Sequence, residues 1–391
     1  MRIGIDARML GSAPGIGRYI ARLTSELFLL ERESEYVLFL REPSYSAYRP
    51  ARERIRKVYA PERWYGWMEQ LTLPWRFMRE QFDLLFVPQF NVPLFLPRPF
   101  VVTIHDLTQL YVPGPAQLGS VFRRLAFRLV FSMTIRRARA IIAVSEYTKR
   151  EIIKNFSVPA HRIVVIPEGP GFSLKTEDAA MSASPHSEPA LHLSALRGDG
   201  AGFQIPDSRY ILAVGVWRPH KNFEGLLEAF ARVKRDPQYS DLLLILVGEE
   251  DPRYPEVRAR ILALGLTHAV RTPGVVQDTQ LDKLYRNAAA VVIPSRYEGF
   301  GFVGLEALAR GSPVAASSAA AIPEVLGYAA LYFNPDDTEE MASVIGRLLT
   351  DAAERQRILK AAPAVLERYS WRHAAEETLR LFKSVLAEGG R

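Results

Sequence analysis

Short apolar runs alternate along this chain with longer stretches of helical period. The runs have the length and β-branched content of buried strands, and the apolar residues between them recur every three or four positions. Alternation of this kind favours a mainly parallel sheet that is covered by helices on both faces. In the first half, the predicted strands are RIGIDA, YVLFL, LLFVP, FVVTIHD, AIIAVS and RIVVIP.

The pattern stops at residues 175–208, which are rich in Ala, Ser, Pro and Gly and have no period, as in a linker or a surface insertion. It restarts with RYILAVG, LLLILVG, AVRTPG, AAVVIPS, SPVAAS and AALYFNP, and the tail from about Asp336 is helical. The sequence therefore predicts the α/β class, with two doubly wound Rossmann-like domains. We expect them to face each other across a cleft at the carboxyl ends of their strands, where the chemistry would take place.

The predicted domain bounds follow from these changes of pattern. They are 1–172 for the N-terminal domain, 173–208 for the linker or insertion, and 209–372 for the C-terminal domain. A last amphipathic helix, at about 373–391, is expected to pack back on the N-terminal domain.

Composition narrows the possible functions. The 391 residues include no cysteine, which excludes disulfides, thiolate metal sites and a cysteine nucleophile. The chain has no apolar run of transmembrane length, and it enters a strand without a signal-peptide pattern, so we expect a cytoplasmic protein. Residues 1–170 contain 25 basic and 15 acidic side chains. This surplus suits phosphate-bearing substrates, an anionic membrane or a solvated basic surface; no recognised nucleic-acid module is present, and no nucleic-acid partner is expected.

Two segments of the first half have two interpretations. WYGWMEQLTLPWRFMRE and VFRRLAFRLVFSMTIRRARA mix aromatic and aliphatic residues with arginines. Such a composition is typical of a helix in a lipid interface, and equally of amphipathic core helices. Peripheral association with an anionic membrane, at the inner face of the plasma membrane, therefore stays open.

The segment PSRYEGFGFVGLEALARG carries the most specific chemistry. Glu298 and Glu306 have seven residues between them, and the glycines indicate the start of a helix that would place Glu306 about two turns in. The amides of Gly299, Phe300, Gly301 and Phe302 could approach an anionic ligand at that helix start. Two carboxylates beside a phosphate-binding turn suit a sugar joined to a nucleoside diphosphate. Surface helix residues are the plainer interpretation of the two glutamates.

Three further groups lie next to predicted strand ends. Gly15 and Gly17 stand just before a helix, in a loop that could bind a diphosphate or simply form a turn; a dinucleotide fingerprint fails because Ile20 replaces its third glycine. His105 ends a strand and could bind a sugar hydroxyl or be structural. Arg218 and Lys221 follow another strand and could neutralise a leaving diphosphate, or be solvated loop charges. The histidines are scattered, and no metal site is expected.

Taken together, these motifs resemble the retaining GT-B glycosyltransferases of family 4, also called glycosyl transferases group 1. The resemblance covers nearly the whole chain, from IGIDARML through IHDL, AVSEYTKREI and VIPEG to AVGVWRPHKNFEGLLEAF, PGVVQDTQLDKLYRNA, PSRYEGFGFVGLEALARGSPVAAS, AIPEVLG and the closing YSW. HDL followed by VSEYTKRE is similar to O-antigen and exopolysaccharide mannosyltransferases.

The resemblance implies roles for single residues. Glu298 would bind donor-sugar hydroxyls, Glu306 the ribose hydroxyls, and Lys221 the diphosphate. The amides from Gly299 to Phe302 would hold the sugar and the phosphates. Gly15 and Gly17 match the first-domain glycine loop, His105 would lie near the transferred sugar, and Val276 would lie where family members contact the base.

One departure from the family pattern concerns charge. Many members have an arginine where this chain has Val216. Arg218 would then supply the charge from a neighbouring position.

The resemblance implies a hexosyltransferase that retains anomeric configuration and needs no metal or other cofactor. GDP-mannose is the expected donor, and a saccharide or a lipid-linked sugar the expected acceptor. Alternatives are a UDP-sugar-dependent transferase, a noncatalytic nucleotide-sugar or carbohydrate-binding protein, and an epimerase or phosphorylase on the same fold.

Overall fold

The computed structural model describes residues 1–11, 14–64, 66–96, 99–111, 121–170 and 203–389. The predicted linker lies outside the described residues as far as residue 202. The chain divides into two compact units. The first joins Met1–Gly169 to a C-terminal segment that starts at Tyr369, and the second contains residues 203–368.

The first unit is a seven-stranded parallel sheet of order β3-β2-β1-β4-β5-β6-β7. Its strands are β1 (Arg2–Asp6), β2 (Glu35–Leu40), β3 (Ile55–Tyr59), β4 (Leu84–Val87), β5 (Phe100–Ile104), β6 (Ala140–Ala143) and β7 (Ile163–Val165). Its helices are α1 (Pro14–Leu30), α2 (Ser44–Ala47), α3 (Trp67–Arg79), α4 (Thr108–Tyr111), α5 (Val121–Arg137) and α6 (Glu146–Phe156).

The second unit is a six-stranded parallel sheet of order β10-β9-β8-β11-β12-β13. Its strands are β8 (Tyr210–Val214), β9 (Leu243–Val247), β10 (Val270–Gly274), β11 (Ala290–Ile293), β12 (Val314–Ser317) and β13 (Leu331–Phe333). Its helices are α7 (Phe223–Val233), α8 (Glu256–Ala263), α9 (Asp278–Asn287), α10 (Phe302–Ala309), α11 (Ile322–Leu326), α12 (Thr338–Thr350) and α13 (Ala352–Leu366).

Both sheets reverse their strand order beside the first strand of the unit. In the first unit β1 lies between β2 and β4, and in the second unit β8 lies between β9 and β11. Loops on either side of such a switch point diverge to opposite faces of the sheet and leave a crevice at the carboxyl ends of the strands. Ligand-binding residues are therefore expected in the loops that follow β1 and β4, and β8 and β11.

Every apolar run that was predicted as a strand forms one, and the fold class is confirmed. One strand was missed. The segment IRKVY forms β3 at the edge of the first sheet, with Ile55 buried and Tyr59 41% exposed. An edge strand has only one neighbour and tolerates charged side chains, so it lacks the continuous apolar run of the central strands.

The last helix, α14 (Trp371–Gly389), packs in the first unit against α1. The ring of Phe382 lies 5.2 Å from that of Phe86 on β4, between centroids, and the Lys383 ammonium lies 2.9 Å from a carboxylate oxygen of Glu31. The amphipathic period of the tail thus covers an apolar face of the sheet that α1 leaves open.

Candidate functional site

Lys221 and Glu298 form an ion pair at the carboxyl edge of the second sheet. Lys221 ends a single 3-10 turn, Pro219–Lys221, that follows β8, and Glu298 lies in the loop that follows β11. These strands are neighbours in the sheet, so their loops meet although 77 positions separate the two residues. The Nζ atom of Lys221 lies 2.5 Å from Oε1 of Glu298, and both side chains are mostly buried.

The turn that carries Lys221 is held by its own backbone and by the next residue. Asn222 has φ 55°, a left-handed conformation that asparagine adopts more readily than most residues. Its buried side-chain amide donates to the carbonyls of Pro294 (3.1 Å) and Pro335 (2.7 Å). The amide of Arg296 donates to the carbonyl of His220 at 2.8 Å. The loops after β8 and β11 are thus bonded to each other on both sides of the ion pair.

Glu298 is an ionised acceptor. Burial by itself raises the pKa of its carboxyl group, but the charge and hydrogen bond of Lys221 outweigh burial, with help from His220 and from Ser295. The Ser295 hydroxyl donates to the same oxygen at 2.7 Å. The net result is a pKa below the ordinary glutamate value, so this carboxylate offers only acceptors at neutral pH.

The glycine loop leads from Glu298 into α10. Gly301 has φ 100°, which L side chains rarely adopt, and the helix begins at the next residue, Phe302. The amide of Gly304, in the first turn of α10, donates to the carbonyl of Gly301 at 3.2 Å. Glu306 is the fifth residue of α10 and lies just over one turn in. The expectation of two turns was wrong, because the left-handed Gly301 delays the start of the helix.

Glu306 faces the interior of the second unit. It is 2% exposed, and its Oε2 accepts a hydrogen bond of 2.8 Å from the hydroxyl of Tyr285 on α9. Its carboxylate is therefore held in a fixed position. Its role toward a ribose stays a prediction.

The other candidates of the second unit differ in their contacts. The Nε of Arg218 lies 3.6 Å from Oδ2 of Asp251, whereas Arg253 binds both oxygens of that carboxylate at 2.6 Å. Arg218 is thus a weakly held cation whose side chain is 36% exposed. Val276 follows β10 and is 2% exposed, and Val216 is partly buried.

In the first unit, Gly15 and Gly17 lie inside α1 rather than before it, which corrects their expected placement. Their surroundings differ. A Cβ atom on Gly17 would lie 2.9 Å from the carbonyl oxygen of Met9, whereas one on Gly15 would meet no atom of the described residues within 4 Å. Position 17 therefore needs glycine, because the backbone at Met9 comes too close for a side chain. At Gly15 the described residues leave open space beside the first turn of the helix.

His105 follows β5, and both of its ring nitrogens face acceptors. Nδ1 lies 2.6 Å from Oε1 of Glu168, and Nε2 lies 3.0 Å from the carbonyl oxygen of Pro88, which follows β4. The ring of Tyr19 lies edge-on at 4.6 Å between centroids. Burial by itself lowers the pKa of His105, but Glu168 outweighs it through its charge and hydrogen bond, aided by Pro88 and Asp106, so the pKa is raised. Two acceptors and a raised pKa favour the doubly protonated imidazolium.

The predicted residues are thus distributed over both units. Lys221 and Glu298 are in contact in the second unit, whereas His105, Gly15 and Gly17 belong to the first. Sequence reasoning missed three residues that position the candidates, namely Glu168, Ser295 and Tyr285. Glu168 had a signal, since it is an acidic residue directly after the apolar run RIVVIP.

Two family models match the chain, "Glycosyltransferase Family 4" over residues 14–169 and "Glycosyl transferases group 1" over residues 202–365. The O-antigen chain mannosyltransferase B of Escherichia coli is 31% identical over 299 residues, which make up 76% of this chain and 73% of that protein. The chain belongs to glycosyltransferase family 4. It is therefore an enzyme of the glycosyltransferase class.

Solved structures agree with this assignment in their fold. Sucrose-phosphate synthase from Thermosynechococcus elongatus is 19% identical to the family 4 transferase, with a TM-score of 0.73 and 99% of each chain covered. Anabaena HepE, in complex with UDP and glucose, is 20% identical, with a TM-score of 0.68 and coverage of 98% of this chain and 99% of that one. The two parallel α/β units are thus those of the GT-B fold.

Proposed function

We propose that this transferase moves a hexose, namely mannose from GDP-mannose, to a saccharide or a lipid-linked acceptor during synthesis of a cell-surface polysaccharide. Transfer retains the anomeric configuration and needs no metal ion. The similarity to an O-antigen mannosyltransferase supports the sugar and the process. The observation that carries the proposal is the Lys221–Glu298 ion pair beside the first turn of α10.

The ion pair contains one group for each part of a nucleotide sugar: a cation for the diphosphate and an anion for the sugar hydroxyls. The ammonium of Lys221 would bind the diphosphate, whose negative charge grows as the sugar leaves. The amides from Gly299 to Phe302, at the start of α10, would add fixed dipoles of the same sign. Glu298, already ionised, would accept hydrogen bonds from sugar hydroxyls, and Ser295 holds it in place. Preorganised groups of this kind each contribute roughly 2–4 kcal/mol to lowering a barrier.

The anomeric configuration is retained because the acceptor hydroxyl attacks the anomeric carbon from the same face that the diphosphate leaves. The bond from the anomeric carbon to the diphosphate oxygen breaks, the acceptor hydroxyl bonds to the same carbon, and its proton passes to the departing phosphate. No enzyme nucleophile takes part. Arg218, weakly held by Asp251, would add positive charge in place of the arginine absent at Val216.

Four other predicted residues would contribute further contacts. Glu306, fixed by Tyr285, would accept from the ribose hydroxyls, and Val276 would lie against the base. His105 would contribute positive charge and shape near the sugar rather than a vacant ring nitrogen, since both of its nitrogens already have protein partners. Gly15 would let the diphosphate approach the amides of α1.

Donor screening tests this function directly. A ligand that binds only the folded state raises the melting temperature, so GDP-mannose should stabilise the protein more than UDP- or ADP-sugars do. Transfer of labelled mannose should then persist in EDTA and give an axial, retained linkage. UDP-glucose is the competing donor, because HepE was solved with UDP and glucose. If only UDP-sugars stabilise the protein, the donor is a UDP-sugar and not GDP-mannose. If a donor binds but no acceptor receives the sugar, a noncatalytic binding protein is favoured.

Location belongs to the proposal as well. No described helix is long and apolar enough to cross a membrane. We place the enzyme in the cytoplasm at the inner face of the plasma membrane, where a lipid-linked acceptor would be reached.

A further inference from the structure

Helix α3 presents its large apolar side chains to solvent. Trp67 is 72% exposed, Leu71 64% and Trp75 66%. These positions recur every four residues and therefore lie along one face of the helix, called here the Trp67 face. Met68 and Met78 on the same helix are 43% and 41% exposed. Two solvent-exposed tryptophans on one short helix form the kind of apolar patch that marks an interaction site.

The opposite side of α3 is anchored in the first unit by a buried charge network. Glu69 is fully buried and accepts from the guanidinium of Arg8 and from the side-chain amide of Asn91, each at 2.6 Å. Leu73 and Phe77 are buried on the same helix. Rotation of α3 to bury its tryptophans would break the Arg8–Glu69 ion pair and leave two fully buried charges without each other, which is strongly unfavourable. The outward direction of the Trp67 face is therefore fixed by the fold.

Another exposed aromatic residue lies close to this helix. Phe95 is 79% exposed and follows Leu94, whose amide donates to the side chain of Gln70 on α3 at 2.9 Å. The loop after β4 is thus tied to α3 and adds apolar area beside it.

A basic pocket adjoins the C-terminal end of the Trp67 face. It has a volume of about 630 Å³, and its lining includes Trp75, Arg2, Arg56, Arg76, Arg79 and Glu80. Carboxylates partly offset three of these arginines: Glu80 binds Arg56 at 3.1 Å, Glu62 binds Arg76 at 3.0 Å, and Glu35 lies 3.4 Å from Arg2. Arg79 adds an exposed guanidinium in the last turn of α3. Planar guanidinium groups match the oxygens of a phosphate.

We infer that α3 docks on an anionic phospholipid surface. The Trp67 face would lie at the boundary of headgroups and acyl chains, and the basic pocket would surround a lipid phosphate. Tryptophan prefers this boundary because its ring is apolar and its indole N–H is polar. The 25 basic against 15 acidic residues of positions 1–170 complement a negative surface. A second copy of the chain fits less well, since it would bring the same arginines to the interface. The inference deepens the proposed location, and its test requires no transferase activity.

Vesicle co-sedimentation of the full-length protein tests the inference. Vesicles of phosphatidylglycerol and phosphatidylcholine should bind the protein, vesicles of phosphatidylcholine alone should bind it much more weakly, and high salt should weaken the binding. The double variant W67Q/W75Q should reduce binding by roughly a hundredfold, because burying each of the two indoles contributes about tenfold in affinity, or on the order of 1.4 kcal/mol. Arg79→Gln should reduce binding to the anionic vesicles and leave the weak binding to neutral vesicles unchanged.

Matched controls exclude a general effect of surface change. The control variants are Leu262→Gln and Arg235→Gln, which should bind vesicles like the wild type. Leu262 is 65% exposed on α8 of the second unit, and Arg235 is exposed in the same unit. Equal melting temperatures would show that the double variant is folded. The inference fails if that variant binds anionic vesicles normally, if glycerol phosphate alone abolishes vesicle binding, or if the tryptophans instead support a dimer in sedimentation velocity. The double variant should still transfer sugar to a soluble acceptor, so that a loss of vesicle binding is distinguished from a loss of the proposed transferase function.

Discussion

The imidazole of His105 is bonded at both nitrogens, to Oε1 of Glu168 at 2.6 Å and to the carbonyl oxygen of Pro88 at 3.0 Å. Glu168 is 1% exposed, so its carboxylate depends on this partner in place of water. The two residues reach each other across β6, because β5, which precedes His105, and β7, which precedes Glu168, both pair with that strand. A mostly buried histidine–glutamate pair therefore lies at the carboxyl edge of the first sheet.

This pair predicts a pH dependence of stability. Because Glu168 raises the pKa of His105 in the folded protein, the stabilisation is fully present below the ordinary histidine pKa and is lost as pH rises through the raised value. The ring of Tyr19 also faces the imidazole, and the charge of Asp106 raises the same pKa. Glu168→Gln should lower the His105 pKa, as followed by NMR titration of the ring, and should flatten the denaturation midpoint over this pH range. Glu256→Gln, at an exposed position of α8, is the control; an unchanged His105 titration in E168Q would contradict the pairing.

Lys221→Ala should lower turnover by about 10²–10³-fold, since one preorganised charge contact is worth roughly 2–4 kcal/mol in the barrier. It should also raise the pKa of Glu298, whose burial Lys221 now offsets. The stability that this carboxylate contributes above its ordinary pKa would then be lost at a higher pH as the solution is acidified. Steady-state kinetics and urea midpoints across pH measure both effects. Lys283→Ala, at an exposed site of α9, should change neither, and normal turnover of K221A would refute the assigned role.

Gly15 and Gly17 should respond differently to the same substitution. Gly17→Ala places a methyl group 2.9 Å from the carbonyl oxygen of Met9, and we expect a loss of about 1–3 kcal/mol in the free energy of unfolding. Gly15→Ala has open space and should fold normally, whereas donor binding should weaken if the diphosphate approaches there. Chemical denaturation and donor calorimetry separate the two outcomes. Equal stability of both variants would argue against the close approach at Gly17.

Gly301→Ala tests the conformation that starts α10. The nearest atom to its Cβ position is 3.9 Å away, so space is not limiting, but φ 100° is unfavourable for an L side chain. The expected cost is about 1–2 kcal/mol of stability, together with weaker donor binding because the amides of the loop shift. Gly346→Ala, within α12 and in ordinary contact only, should instead be neutral or stabilise by about 0.5–1 kcal/mol. A stable G301A with normal donor affinity would show that the loop does not depend on this conformation.

Apolar patterning predicted most of the fold and less of the site. Buried parallel strands need continuous apolar runs, so each central strand was visible in the sequence. The edge strand β3 was not, because charged side chains interrupt it. Glu168 was missed as a partner of His105, since hydrophobic period indicates where a strand ends and says nothing about which distant strand lies beside it. The start of α10 was misplaced because only the backbone shows that Gly301 is left-handed.

The sequence by itself determined the family, the order of strands and helices, and the residue types at the strand ends, because these depend on local pattern and on motif spacing. Tertiary structure decided which of those residues meet and in what charge state. Lys221 and Glu298 are paired because β8 and β11 are neighbours, and Glu298 stays ionised because Lys221 offsets its burial. The pKa of His105 is raised for the corresponding reason, because the charge and hydrogen bond of Glu168 outweigh burial. Protonation depends on burial and on charges a few ångströms away, and these are set by long-range packing.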